Sequence, residues 1–113
     1  MPDERPTVCV DLDGVLNRYD GFRGGKFYHD PSPGADEFLR RLNELGYRVV
    51  VLTVRWKADV EEWLERHDLA RHVAEVTDRK PPAHVYVDDR ALCFKGDFDA
   101  ILDQIRHFKA HWE

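Results

Sequence analysis

A chain of 113 residues has the length of one domain and no room for a second core. Its 42% apolar and 35% charged residues describe a globular protein with a well-solvated surface, and no apolar run approaches the roughly eighteen residues that would suggest a membrane span. A net charge of −5 argues against broad, non-specific nucleic-acid binding while leaving room for a local basic groove.

The first six residues, Met1-Pro2-Asp3-Glu4-Arg5-Pro6, lack the basic-then-apolar order of a secretory leader. They read as a disordered N-terminal arm over 1–6, ahead of one domain over 7–113. Cys9 and Cys93 both have apolar neighbours. Two buried free thiols are expected, and with them a reducing, cytoplasmic setting.

Residues 7–11 form a continuous apolar strand of the kind covered on both faces. The strand runs into Asp11-Leu12-Asp13-Gly14-Val15-Leu16, with two carboxylates at i and i+2. On a strand these positions share a face, and beside an apolar strand the two acids repel and lose hydration unless a cation joins them. A hard divalent ion, Mg2+, is the economical expectation. Taken alone, an Asp-x-Asp is as well explained by a turn or a helix cap. Residues 17–30 are aromatic, basic and rich in glycine (Arg18, Tyr19, Phe22, Arg23, Gly24, Gly25, Lys26, Phe27, Tyr28). They read as a small flap turning at Gly24-Gly25. A solvated hairpin and a lid over substrate explain it equally well.

Ser32-Pro33 opens a helix, with Ser32 as N-cap and proline in the first turn. Phe38, Leu39, Leu42 and Leu45 form its apolar stripe and Gly46 its stop. A second continuous strand spans 48–53 and ends in Thr53. Val60, Trp63, Leu64 and His67 place a helix near 58–67, and a weaker strand lies near 72–76. Val85-Tyr86-Val87 is a further strand ending in Asp88-Asp89. From Asp97 onward, Phe98, Ile101, Leu102, Ile105 and Phe108 share one face of a closing amphipathic helix. Alternating strands and helices predict an α/β fold, a single Rossmann-like three-layer domain with a mostly parallel sheet.

Ligands in such sheets bind beyond the carboxyl ends of the strands. That edge would collect Asp11 and Asp13, Thr53, Lys80 (in the segment preceding the last strand), and Asp88 and Asp89. Each has an ordinary structural explanation on its own: Thr53 as a strand end, Lys80 as a solvated lysine with Arg79 competing for any role, Asp88-Asp89 as a turn paired to Arg90. The six histidines show no metal-ligand spacing, and Trp56, Trp63 and Trp112 read as packing residues.

The four pieces in this order resemble the haloacid dehalogenase (HAD) superfamily, whose members are mostly phosphatases working through an aspartyl-phosphate. Asp11-Leu12-Asp13-Gly14-Val15-Leu16 is similar to the first motif and Val49-Val50-Val51-Leu52-Thr53 to the second. Lys80-Pro81 matches the third and Val85-Tyr86-Val87-Asp88-Asp89 the fourth, so the resemblance covers about residues 7–95. It implies Asp11 as nucleophile, Asp13 as general acid and then general base, and Thr53 and Lys80 as phosphoryl-binding groups. Gly14 would keep backbone amides near the phosphate. Mg2+ would be held by Asp11, the Asp13 backbone carbonyl, Asp88 and Asp89.

The short intervals after Leu16 and between Thr53 and Lys80 leave no space for a cap domain, so the resemblance is to a minimal, capless member with an open site. Open sites suit large or polymeric phosphorylated substrates. Arg55, two residues after Thr53, is similar to polynucleotide 3′-phosphatase domains, where such a guanidinium would grip a second phosphate. Arg18 and the aromatic flap suit a nucleic-acid end as well. The expectation is therefore a cytoplasmic, magnesium-dependent phosphomonoesterase, a monomer or small homo-oligomer without a membrane partner. Polynucleotide 3′-phosphatase-like end processing and a catalytically silent HAD-like binding module are the alternatives.

Overall fold

A computed structural model describes residues 3–19, 21 and 28–113. Strand β1 (Thr7–Asp11) is followed by helix α1 (Ala35–Glu44), strand β2 (Arg48–Leu52), helix α2 (Lys57–Arg66), strands β3 (Glu75–Thr77) and β4 (Val85–Val87), and helix α3 (Phe98–Arg106). The strands form one parallel sheet in the order β3-β2-β1-β4. This is the α/β, Rossmann-like domain that the alternation of strands and helices predicts.

The strand pairs are in register at their carboxyl ends, with Asp11 opposite Leu52, Leu52 opposite Thr77, and Val10 opposite Val87. The chain moves outward from β1 to β2 and β3, then returns to the other side of β1 as β4. That reversal beside β1 is the switch point where open sheets hold ligands.

Alternation on the strands divides the sheet into two faces. Val8, Val10, Val49 and Val51 join Leu39 of α1 and Val60, Trp63 and Leu64 of α2 in the main core. Each of these large side chains, fully withdrawn from water, contributes about 1.5–3 kcal/mol. Cys9 and Val50 point the other way and are also buried. The segment between β3 and β4 reaches that face through Lys80 and Pro81. Tyr86, opposite Cys9, donates from its hydroxyl to the Pro81 carbonyl at 2.5 Å, and the Lys80 ammonium lies 4.4 Å from the Tyr86 ring centre.

Several boundaries differ from the sequence expectation for local reasons. Helix α1 starts at Ala35, not at Ser32. The Ser32 N–H is taken by the Leu16 carbonyl at 2.7 Å, and Gly34, at φ 86°, supplies the cap position. Within its stripe Leu39 is buried and Leu42 packs on the core, whereas Phe38 is half-exposed and Leu45, at the C-cap, faces solvent. The third strand begins at Glu75, because a 3₁₀ turn, Ala70–His72, occupies the start of the expected segment.

The arm expected to be disordered is, over its described residues 3–6, fastened to β2. Asp3 pairs with Arg5 at 2.6 Å and lies 3.7 Å from Arg48, whose N–H donates to the Pro6 carbonyl. Cys93 is exposed and not a buried thiol, and both cysteines are free.

The flap turn at Gly24-Gly25, with Phe22, Arg23, Lys26 and Phe27, lies outside the described residues. Its two ends are joined by an Asn17–Pro31 bridge and by a 3.4 Å bond from the Arg18 N–H to the Asp30 carbonyl. Helix α3 forms where its periodicity predicts, capped by the Asp97 carboxylate on the Ala100 N–H at 3.1 Å. Its apolar stripe does not close over the sheet, and no residue of the helix is buried. Periodicity shows where an apolar face lies, not what covers it.

Candidate active site

A cavity of about 870 Å³ opens at the carboxyl edge of the sheet, over the switch point. Asp11, Asp13, Thr53, Arg55, Lys80, Asp88 and Asp89 all line it. These expected residues come from four segments spread across almost eighty positions, and the parallel register assembles them. Arg18 and Gly14 line an adjoining cleft of about 500 Å³, which shares Tyr19 with the main cavity.

Asp11, Asp88 and Asp89 each place a carboxylate oxygen within 4.8 Å of the others. Burial and the charge of Asp88 push the Asp11 carboxyl up to about 8, with a hydrogen bond that the protonated Asp11 donates to Asp89 and the charges of Asp89 and Asp13 adding to the rise. Three acids this close, one of them strongly raised, are a poor arrangement for the protein alone. Their all-oxygen donor set fits a hard divalent cation. Asp88 also accepts the Arg90 N–H at 2.8 Å, so the turn and the acidic cluster use the same residue.

Asp13 is turned toward a different set of partners. Arg55 forks onto it, with Nε 2.8 Å from one carboxylate oxygen and Nη2 3.1 Å from the other. Asn17 Nδ2 donates to it at 2.8 Å. A two-pronged guanidinium contact fixes both position and rotation of the carboxylate. Arg55 in turn sits 4.3 Å over the centre of the Tyr28 ring. Thr53 is 4% exposed, and its hydroxyl oxygen accepts the Arg55 N–H at 3.0 Å. The hydroxyl proton remains to be donated into the cavity.

Gly14 follows this pair at φ 87°. That left-handed conformation suits glycine, and a Cβ there would collide with the Asp89 carboxylate. The glycine therefore has a second role beyond the turn: it makes room for one of the clustered acids.

Four site residues have no signature in the sequence. Asn17, fully buried, braces Asp13 with its amide nitrogen while its carbonyl accepts the His29 N–H at 2.9 Å. Only its position after the Asp-x-Asp turn and the preference of Asn for such turns hint at it. Trp112 donates its indole N–H to Asp89, meets Tyr19 edge-on at 5.0 Å, and lies under the Arg90 guanidinium at 5.5 Å. His111 donates from Nε2 to the Gly14 carbonyl at 2.6 Å. Trp56 is 78% exposed at the cavity wall. Trp112 and Trp56 thus depart from the packing expectation: Trp112 is half-buried against Asp89 and Trp56 is exposed at the cavity wall, and composition does not separate these places from a core.

No family model and no curated protein matches this chain. The chain is similar to the solved structure of a conserved protein from Bacteroides thetaiotaomicron, at 24% identity over 95% of this chain and 94% of that one, with a TM-score of 0.60. That likeness extends to the fold.

Proposed function

We propose that this protein is a magnesium-dependent phosphomonoesterase of the HAD type, acting through an aspartyl-phosphate at an open site. The observation that carries the reading is the convergence of Asp11, Thr53, Lys80 and Asp88-Asp89 on one cavity at the sheet's switch point. Asp11, Asp88 and Asp89, with the Asp13 carbonyl, would hold Mg2+. When bound, the ion supplies positive charge that lets neighbouring carboxylates ionise and lowers the repulsion met by a phosphate dianion.

Asp11 attacks phosphorus, forming the Oδ–P bond as the ester P–O bond breaks. Asp13 gives its proton to the departing alkoxide. Asp13 then takes a proton from water, whose oxygen attacks the same phosphorus, and inorganic phosphate leaves as Asp11 is regenerated. The Thr53 hydroxyl and Lys80 ammonium bind the phosphoryl oxygens, a task of positioning and charge compensation. An arriving phosphate would draw the Arg55 guanidinium away from Asp13, and the freed carboxylate takes up a proton from solvent before it acts as the acid. Arg55 is thereby engaged near the reacting group itself, so the gripping of a second phosphate, on which the polynucleotide reading rests, has no separate support.

Hydrolysis of p-nitrophenyl phosphate with and without Mg2+ tests the proposal. Wild type is expected to be active only with the ion, Asp11→Asn to fall to background, and Asp13→Asn to lose about 10²–10⁴-fold on substrates with poor leaving groups. A folded wild type no faster than Asp11→Asn across phosphorylated sugars, nucleotides and 3′-phosphorylated oligonucleotides would leave the silent binding module standing instead.

A further inference from the structure

We infer that the protein pairs with a second copy of itself through α3. Phe98, Leu102 and Ile105 lie at i, i+4 and i+7, one face of a helix, and are 74%, 56% and 57% exposed. Phe94, 51% exposed, extends the face by packing on Phe98 with ring centres 4.9 Å apart. These four side chains present roughly 500 Å² of apolar surface, at the upper end of what a soluble monomer leaves open. A standard interface takes about 800 Å² from each partner, and the four apolar side chains would form its centre.

The rim is complementary to itself. Asp97 and Asp99 lie at the start of the helix, Asp103 just past Leu102, and Arg106 and Lys109 toward and just past its end. Two copies of α3 packed antiparallel about Leu102 set the acidic start of each against the basic end of the other and oppose the helix dipoles favourably. A membrane surface fits worse, because the same acids flank the stripe and repel anionic lipid.

The chain leaves more surface open than a compact monomer of its mass. It exposes 7997 Å² at a mass of 13.3 kDa, against about 6,500 Å² for a compact monomer of that mass. Its radius of gyration is 15.0 Å, against about 13 Å. None of this depends on the catalytic reading.

Sedimentation velocity of the full chain at tens of micromolar tests the pairing. The expected mass is twice the 13.3 kDa of one chain. Leu102→Glu places like charges at the two-fold axis and should give the single-chain mass. Arg106→Glu, which removes the rim complementarity, should weaken the dimer by about tenfold or more. Leu102 and Arg106 are exposed, so unchanged far-ultraviolet circular dichroism is expected for both variants. A wild type that sediments as a single chain overturns the inference, including one that instead co-sediments with anionic vesicles. So does a Leu102→Glu protein that remains dimeric.

Discussion

Two aspartates separated by one residue, Asp11 and Asp13, reach quite different environments because the chain turns between them. Asp11 faces Asp88 and Asp89, and its carboxyl is raised to about 8. In the folded, metal-free protein it therefore holds its proton where the unfolded chain, near the ordinary value of 3.8, has lost it. That contribution to stability is complete below about pH 4 and is lost as pH rises through about 8. Melting temperatures in EDTA should accordingly fall between these limits, and the Asp11→Asn protein should show a shallower fall. Excess Mg2+ should oppose the loss most at the alkaline end, since the ion displaces the proton. Parallel melting curves for wild type and Asp11→Asn would contradict the assignment. Trp112 gives a second expectation at this scale, because its indole N–H holds Asp89. Trp112→Phe keeps an aromatic ring, removes that donor, and should weaken Mg2+ binding by about tenfold. Isothermal titration decides it: equal affinities in the two proteins would reduce Trp112 to a packing residue.

Among the elements, α1 separates what periodicity can and cannot say. Its apolar residues are four in the sequence, yet Leu39 is fully buried against the valines of β1 and β2 while Leu45 is 72% exposed. Leu39→Ala should cost about 2–5 kcal/mol, and Leu45→Ala should stay within about 0.5 kcal/mol. Urea denaturation compares them directly, and similar midpoint shifts would mean that α1 packs in a different rotation. Helix α3 carries the same lesson further. Its cap and its stripe are both readable from Asp97 onward, but the absence of buried residues on it depends on which surfaces the rest of the chain leaves within reach.

At the scale of the whole molecule, one parallel sheet with a reversal beside β1 explains why so few residues suffice for a site. Every strand delivers its carboxyl end to the same edge, so short polar segments after β1, β2 and β4 need no further scaffolding to meet. The interval between β2 and Lys80 is filled by α2, one 3₁₀ turn and β3, with no inserted cap domain between them. Among the described residues no helix is long and apolar enough to cross a membrane.

Local sequence determined the strands of β1, β2 and β4 almost to the residue, since continuous valine-rich runs bounded by acids or threonine admit little else. It also marked the strand ends that meet at one cavity, because Asp11, Thr53 and Asp88-Asp89 each follow an apolar run and the parallel register brings those ends to one edge. The tertiary structure alone decided that Arg55 clasps Asp13, that Asn17 braces it, that His111 returns to Gly14 across 97 residues, and that Trp112 reaches Asp89. Such contacts leave no periodic trace. They depend on where separate segments end in space, and a sequence pattern records only neighbours along the chain.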